Sequence, residues 1–169
     1  MALFNVRVYG ILLDEQNRLL VSDEFVRGDY FTKLPGGGLE FGEGTRDGLE
    51  REFIEETGLK VTIGEHLYTT DFFQLSAFNK KDQIISIYYI VHSNACGSIK
   101  TSEKPFDFMP NQTDDTTKTA ESFRWVDFEN LNEGRNSVNM NIAEIKNGFY
   151  FIKTESINSS VTSRLLISK

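Results

Sequence analysis

The chain has little that could staple it. One cysteine, Cys96, stands among 169 residues, so no internal disulfide can form. Lone thiols are the habit of reducing compartments, and a cytoplasmic location is expected. Three prolines and no G-x-y period exclude collagen-like and proline-rich forms. No apolar run approaches the roughly 18 residues of a membrane helix, so no membrane partner is expected. The opening stretch, Met1 to Val8, reads as a strand and lacks a signal-peptide pattern. Basic residues are the minority, 18 Lys+Arg against 25 Asp+Glu, for a net charge of −7. Such a chain repels polyanions at long range, and no nucleic-acid partner is expected. The two histidines, His66 and His92, have no metal-ligand spacing with each other or with Cys96, and are read as structural.

What is present fits a globular chain. The hydrophobic share is 39%, with 14 Phe and 6 Tyr, enough to bury a core. The length favours one domain, placed at residues 1–155, with a serine-rich tail at 156–169. Strand-like runs fall at residues 5–13, 18–24, 61–73, 83–92 and 122–126, with a last one at 149–153. Residues 33–38, Lys-Leu-Pro-Gly-Gly-Gly, read as a glycine-permitted loop. Thr45 is placed as the cap of a helix running to Thr57, with Gly58 just past its end. Residues 95–119 are polar and irregular, a long loop of the kind that is usually functional or mobile. Residues 129–133 and 139–146 are weaker helix candidates. Strands, one strong helix, then more strands give an α/β class with a mixed sheet.

The acid is concentrated. Residues 37–59 hold seven acids and two bases, a balance of −5. Within the helix, Glu52, Glu55 and Glu56 fall inside an arc of about 100°. Like charges four apart destabilise an isolated helix, and within the helix no lysine follows at the offsetting positions. An E-x-x-E-E helix alone is more often a solvated face. Here a glycine-rich loop with its own acid, Glu43, precedes it. Hard divalent cations take oxygen ligands, typically one or two carboxylates plus substrate phosphates. The stripe therefore suits Mg²⁺, with Mn²⁺ as a substitute.

Gly37, five residues, Glu43, seven residues, then Arg51-Glu52-Phe53-Ile54-Glu55-Glu56-Thr57-Gly58-Leu59 resembles the signature of the Nudix hydrolases, G-x5-E-x7-R-E-U-x-E-E-x-G-U with U apolar. Every fixed position is filled. The flanks, Leu34-Pro35-Gly36 before and Arg124-Trp125-Val126 after, are also similar to the family's. The resemblance implies an α/β/α sandwich with a mixed β-sheet. It implies hydrolysis of a nucleoside diphosphate linked to another moiety, such as a nucleotide sugar or a nucleoside triphosphate, giving a monophosphate and a phosphorylated remainder.

The resemblance makes Glu52, Glu55 and Glu56 metal ligands, joined by the backbone carbonyl of Gly36. Glu52 and Glu55 are catalytic candidates, Glu52 as one choice of general base. Arg51 and Glu43 would pair to fix the loop on the helix. A downstream carboxylate is expected at Glu121, with Asp114 and Asp115 as alternatives. Arg27, Tyr30, Lys33 and Glu40 are substrate-binding candidates; Phe31, Phe72, Phe73 and Tyr88 could stack a base but are more often core residues. Gly48, mid-helix, costs roughly 0.5–1 kcal/mol against Ala, and close packing on the sheet is the expected compensation. The partner is a small nucleotide-type molecule, and a homodimer is compatible. The alternative is a domain that senses such a metabolite without cleaving it, which would be expected to lose box carboxylates. A prenyl-diphosphate isomerase would need a cysteine in a motif that Cys96 lacks. The substrate itself is left open, because specificity lies in loops outside the box, here residues 25–33, 71–82 and 95–119.

Overall fold

A computed structural model describes residues 3–76, 78–127, 148–156 and 159–167. The helix candidates at 129–133 and 139–146 lie outside the described residues. The chain divides into two compact units, one of residues 1–12 and 35–96, the other of residues 13–34 and 97–169.

The first unit is a four-stranded mixed sheet carrying one helix. Its strands are β1 (Phe4–Leu12), β4 (Gly36–Gly38), β5 (Thr62–Thr69) and β6 (Gln83–His92), in the order β4-β1-β6-β5. β1 and β6 are parallel; the other pairs are antiparallel. Parallel neighbours need a long crossover, and helix α1 (Thr45–Thr57) lies within it. Alternation along β1 sends Val8, Gly10 and Leu12 to one face, where a Cβ on Gly10 would strike the Phe53 ring of α1 at 2.5 Å. Val8, Leu12, Leu49, Phe53 and Val91 are buried in this unit.

Several local expectations change. Residues 36–38 form a strand, not a loop, because their glycines pair with Tyr9, Val8 and Arg7 of β1. Thr45 is the first helical residue rather than the cap. Gly44 holds the cap position in extended backbone with no side-chain bond, and the Thr45 hydroxyl is 2.6 Å from that of Tyr89. The helix ends as expected, with Gly58 left-handed and its N–H on the Ile54 carbonyl.

The second unit holds an antiparallel sheet of β3 (Asp29–Lys33), β2 (Arg18–Val26) and β7 (Thr119–Asp127), in that order. Residues 25–33, expected as a loop, are thus largely a hairpin, turning at Arg27 and Gly28, both at positive φ. Leu19, Leu20, Val21, Phe25 and Phe123 are buried in it. A further hairpin pairs β8 (Gly148–Ser156) with β9 (Ser159–Ile167). The region read as a tail therefore carries a strand, which its serine content concealed.

The loop before β7 is docked within the second unit. The Ser102 N–H donates to the Phe123 carbonyl at 2.7 Å, and the Phe106 N–H to the Asp23 carboxylate at 3.2 Å. Asp23 is fully buried mid-strand, yet also accepts from the Thr32 hydroxyl at 2.6 Å and from Arg124 Nε at 2.6 Å. A buried charge persists only when paired and hydrogen-bonded, and Asp23 is both.

Candidate active site

The acidic box lies entirely in the first unit. Its loop is held to its helix by Arg51. The guanidinium donates from Nε to Glu43 at 2.6 Å, and from Nη2 to Glu43 at 3.1 Å and to the Gly38 carbonyl at 3.0 Å. Nη1 reaches Glu52 at 3.0 Å and Glu55 at 2.9 Å. The Glu43–Arg51 pair that the resemblance implies is present. Arg51 also offsets Glu55 from four residues before it. Its hydrogen bond, and then the Glu40 N–H, hold the Glu43 carboxyl below the usual range. The same pairing pushes the Arg51 pKa up, so its charge is permanent.

Glycine sets the approach distances. Gly36 sits at φ +129°, and a Cβ there would lie 2.2 Å from the Val8 carbonyl oxygen, so only glycine fits. Its N–H donates to Glu56 at 3.0 Å, tying the strand to the helix carboxylate. A Cβ on Gly37 would lie 2.5 Å from the Glu52 carboxyl, so the missing side chain makes room for that group. Gly48 is buried, but a Cβ there would meet Leu39 at 2.7 Å and Glu43 at 2.9 Å, both in the loop. The compensation expected from the sheet comes from the loop instead.

The box therefore brings Glu43, Arg51, Glu52, Glu55, Glu56 and Gly36 together. Glu40 is exposed beside them, its N–H on Glu43 at 3.0 Å. Other candidates belong to the second unit. Arg27 is exposed in the β2–β3 turn, and Lys33 pairs with Glu24 at 3.0 Å. Tyr30 packs on Phe25, Phe106 and Phe108, with ring centroids 5.0, 5.3 and 6.3 Å away. Glu121 faces Glu24 in register across β7 and β2, and accepts from the Ser22 hydroxyl at 2.6 Å. Asp114 pairs with Lys118 at 2.7 Å, and Asp115 is held low by Thr117. His66 bonds Thr69, and His92 borders Gly64. Sequence reading passed over Asp23 altogether. Its one signal was an acid that follows the apolar run Leu19–Val21 within a strand; its partner Arg124 is about a hundred residues away.

The geometry defines a loop–helix unit that converges oxygen donors on one helix face and locks them with an arginine. A family model described as NUDIX domain matches residues 3–144. The chain belongs to the Nudix hydrolase family. A second family model, described as Secretion system C-terminal sorting domain, matches residues 124–168 and overlaps the end of the first. A MutT-like protein of Streptomyces ambofaciens is 40% identical over 63 residues, which is 37% of this chain and 40% of that protein. The match thus spans well under half of that relative's length. Among solved structures, MutT of Methanosarcina mazei Go1 is 20% identical, with 76% of this chain and 80% of that one covered at a TM-score of 0.51. The solution structure of the E. coli ORF135 protein gives 18% identity, 75% coverage of each chain and a TM-score of 0.50. These two likenesses are of fold.

Proposed function

We propose that the chain is a divalent-cation-dependent pyrophosphohydrolase that cleaves the diphosphate linkage of a nucleoside diphosphate joined to another moiety. One observation carries the reading. Glu52, Glu55 and Glu56 are all intact; Gly37 makes room for Glu52, Arg51 donates to Glu52 and Glu55, and Gly36 donates to Glu56. A sensing domain would have no use for so complete a set.

The donor chemistry fits Mg²⁺ or Mn²⁺: hard carboxylate oxygens, with open positions for substrate phosphates. Glu52, Glu55 and Glu56 would hold the ion, with the Gly36 carbonyl as a further donor. When bound, the cation supplies charge neutralisation and an acidified water. The chain's own residues do the rest. Arg51 keeps the loop on the helix and orients Glu52 and Glu55. Gly36 orients Glu56 through its N–H. Glu52 and Glu55 are the choices for the base that takes a proton from the attacking water. The bond broken is one P–O bond of the bridge, and the bridging oxygen leaves with the other phosphorus. Glu121 stays in the proposal as the downstream carboxylate that the resemblance calls for, with Arg27, Tyr30, Lys33 and Glu40 as candidates for substrate contact.

The test is a Mg²⁺-dependent panel of nucleotide sugars, dinucleoside polyphosphates and nucleoside triphosphates, with products identified by phosphorus NMR. Turnover of one class, abolished by EDTA and reduced by orders of magnitude in Glu55→Gln and Glu56→Gln, is expected. Near-normal turnover in either variant would overturn the assignment. Glu121→Gln should raise the cation concentration needed for half-maximal rate. Among the described residues no helix is long and apolar enough to cross a membrane. A cytoplasmic location is part of the proposal, tested by cell fractionation against the sorting-domain match. Gel filtration with light scattering tests the homodimer.

A further inference from the structure

Helix α1 is tied to both outer strands of its own sheet. On one side, Arg51 donates to the Gly38 carbonyl of β4, and the Gly36 N–H of β4 donates to Glu56. On the other, Arg46 Nη1 donates to the Ile63 and Gly64 carbonyls of β5, at 2.8 and 2.7 Å. β5 bulges at that point. Gly64 and Glu65 stand between its pairings with Val91 and Tyr89, where β6 has only Ile90. A bulge interrupts the ladder and bends the strand. Arg46 takes up carbonyls of the bulged stretch.

The position is a costly one for an arginine. Arg46 is the second residue of α1, and a cation in the first turn opposes the helix dipole. Its guanidinium carbon lies 5.0 Å from the ring centre of Tyr89, within the range of a cation–π contact. Tyr89 is buried on β6, and its hydroxyl is 2.6 Å from that of Thr45, the first helical residue. The His66 ring meets the Tyr89 ring edge-on at 5.5 Å. Two successive residues thus pin the start of the helix to β5 and β6. A planar guanidinium suits the task, because it lies against a ring while its edge donates.

We propose that Arg46 and Tyr89 are positioning residues for the cation site: by fixing the start of α1, they set the spacing between the helix glutamates and the Gly36 strand. The inference rests on the pyrophosphohydrolase reading of the box. Phe53, packed on the bare backbone of Gly10, is the natural pivot of the helix. Arg46 precedes it by seven residues and Glu56 follows it by three, about 10 and 4.5 Å along the axis. A swing of about 2 Å at the Arg46 end therefore carries Glu56 about 1 Å the other way. Arg51, two residues from Phe53, sits too near the pivot to resist that swing. Groups that orient metal ligands typically contribute about 10–100-fold in affinity or activity.

The test titrates Mn²⁺ into the full-length chain by calorimetry and measures the Mg²⁺ dependence of hydrolysis beside it. Arg46→Met should weaken Mn²⁺ binding about tenfold and raise the Mg²⁺ concentration for half-maximal rate alike. The direction is diagnostic. Removing a positive charge near an acidic box should by electrostatics alone tighten cation binding, so weakening reports position. Arg46→Lys keeps the charge but loses the flat fork, and should restore only part of the affinity. Tyr89→Phe keeps the ring and loses the bond to Thr45, and should weaken binding by a smaller factor. Circular dichroism melts report folding, and the titrations are run well below each melting temperature. If Arg46→Met does not fold, Tyr89→Phe carries the test. Mn²⁺ affinity that is unchanged or tighter in the folded variants would overturn the proposal, even where the melting temperature falls. If the unaltered chain binds Mn²⁺ and hydrolyses while the variants match it, the inference alone fails. If the unaltered chain neither binds Mn²⁺ nor cleaves, the pyrophosphohydrolase reading fails with it.

Discussion

Gly37→Ala separates the box's geometry from its stability. Gly37 lies in β4, paired with Val8, and is not among the glycines at positive φ, so alanine meets no backbone strain. The new methyl group would lie 2.5 Å from the Glu52 carboxyl, where ordinary contact begins at 3.4 Å. The carboxylate must therefore retreat by roughly 1 Å, a displacement that can cost about a hundredfold in rate when it moves a catalytic group. That factor corresponds to about 2.7 kcal/mol of transition-state stabilisation. Folding should be disturbed far less. Glu52 can swing aside at its flexible end, and replacing glycine by alanine at a compatible site stabilises by about 0.4–1 kcal/mol through the unfolded chain. The two terms nearly cancel, and the melting temperature should move by no more than about 4 °C. The assay is kcat/KM on whichever substrate the panel identifies, beside a thermal melt. Unchanged kcat/KM would refute the claim that Glu52 needs the space beside Gly37. A fall in melting temperature of more than about 10 °C would show instead that position 37 is packed as core.

Glu43→Gln tests the loop clamp through pH. The folded carboxyl titrates below its ordinary value of 4.5, chiefly because of the Arg51 hydrogen bond. Its stabilising contribution is complete above that ordinary value and is lost as pH falls through the folded one. Urea midpoints measured from neutral pH downward should drop less steeply in the Gln variant; identical slopes would sink the idea. Asp23→Ala leaves Arg124, 16% exposed, without its buried partner and releases the Phe106 N–H. About 3–5 kcal/mol should be lost in chemical denaturation. A loss under about 1 kcal/mol would show that the buried pair is dispensable.

What could be read in advance was what is local in sequence. The box helix and its glycine stop follow from spacing within a few turns, and Glu43 reaches Arg51 across eight residues. The two long strand runs at 18–24 and 83–92 announced themselves by composition. What escaped depends on partners far along the chain. Residues 36–38 look like a loop until β1 supplies the ladder that makes them a strand. Residues 29–33 become β3 because β2 lies beside them. Thr45 looks like a cap until Tyr89 claims its hydroxyl. Asp23 and Arg124 mean nothing apart.

The charge of the box shows how far the local reading carries. A balance of −5 over residues 37–59 required either tolerated repulsion or bound cations. The fold supplies part of the answer through Arg51, which donates to Glu43, Glu52 and Glu55 together. The relief is uneven. Glu43 takes the largest share of the pairing, by Nε and Nη2, and is the partner that chiefly shifts the Arg51 pKa. Glu52 and Glu55 share the one remaining nitrogen, and Glu56 receives the neutral N–H of Gly36. A single guanidinium cannot neutralise the three carboxylates it touches, and the shortfall falls on Glu52 and Glu55. A sequence optimised only for stability would place a lysine among them at small cost. Keeping three acids on one face is what the proposed cation site requires, and the arrangement explains why the arginine belongs to the loop pair rather than to the stripe.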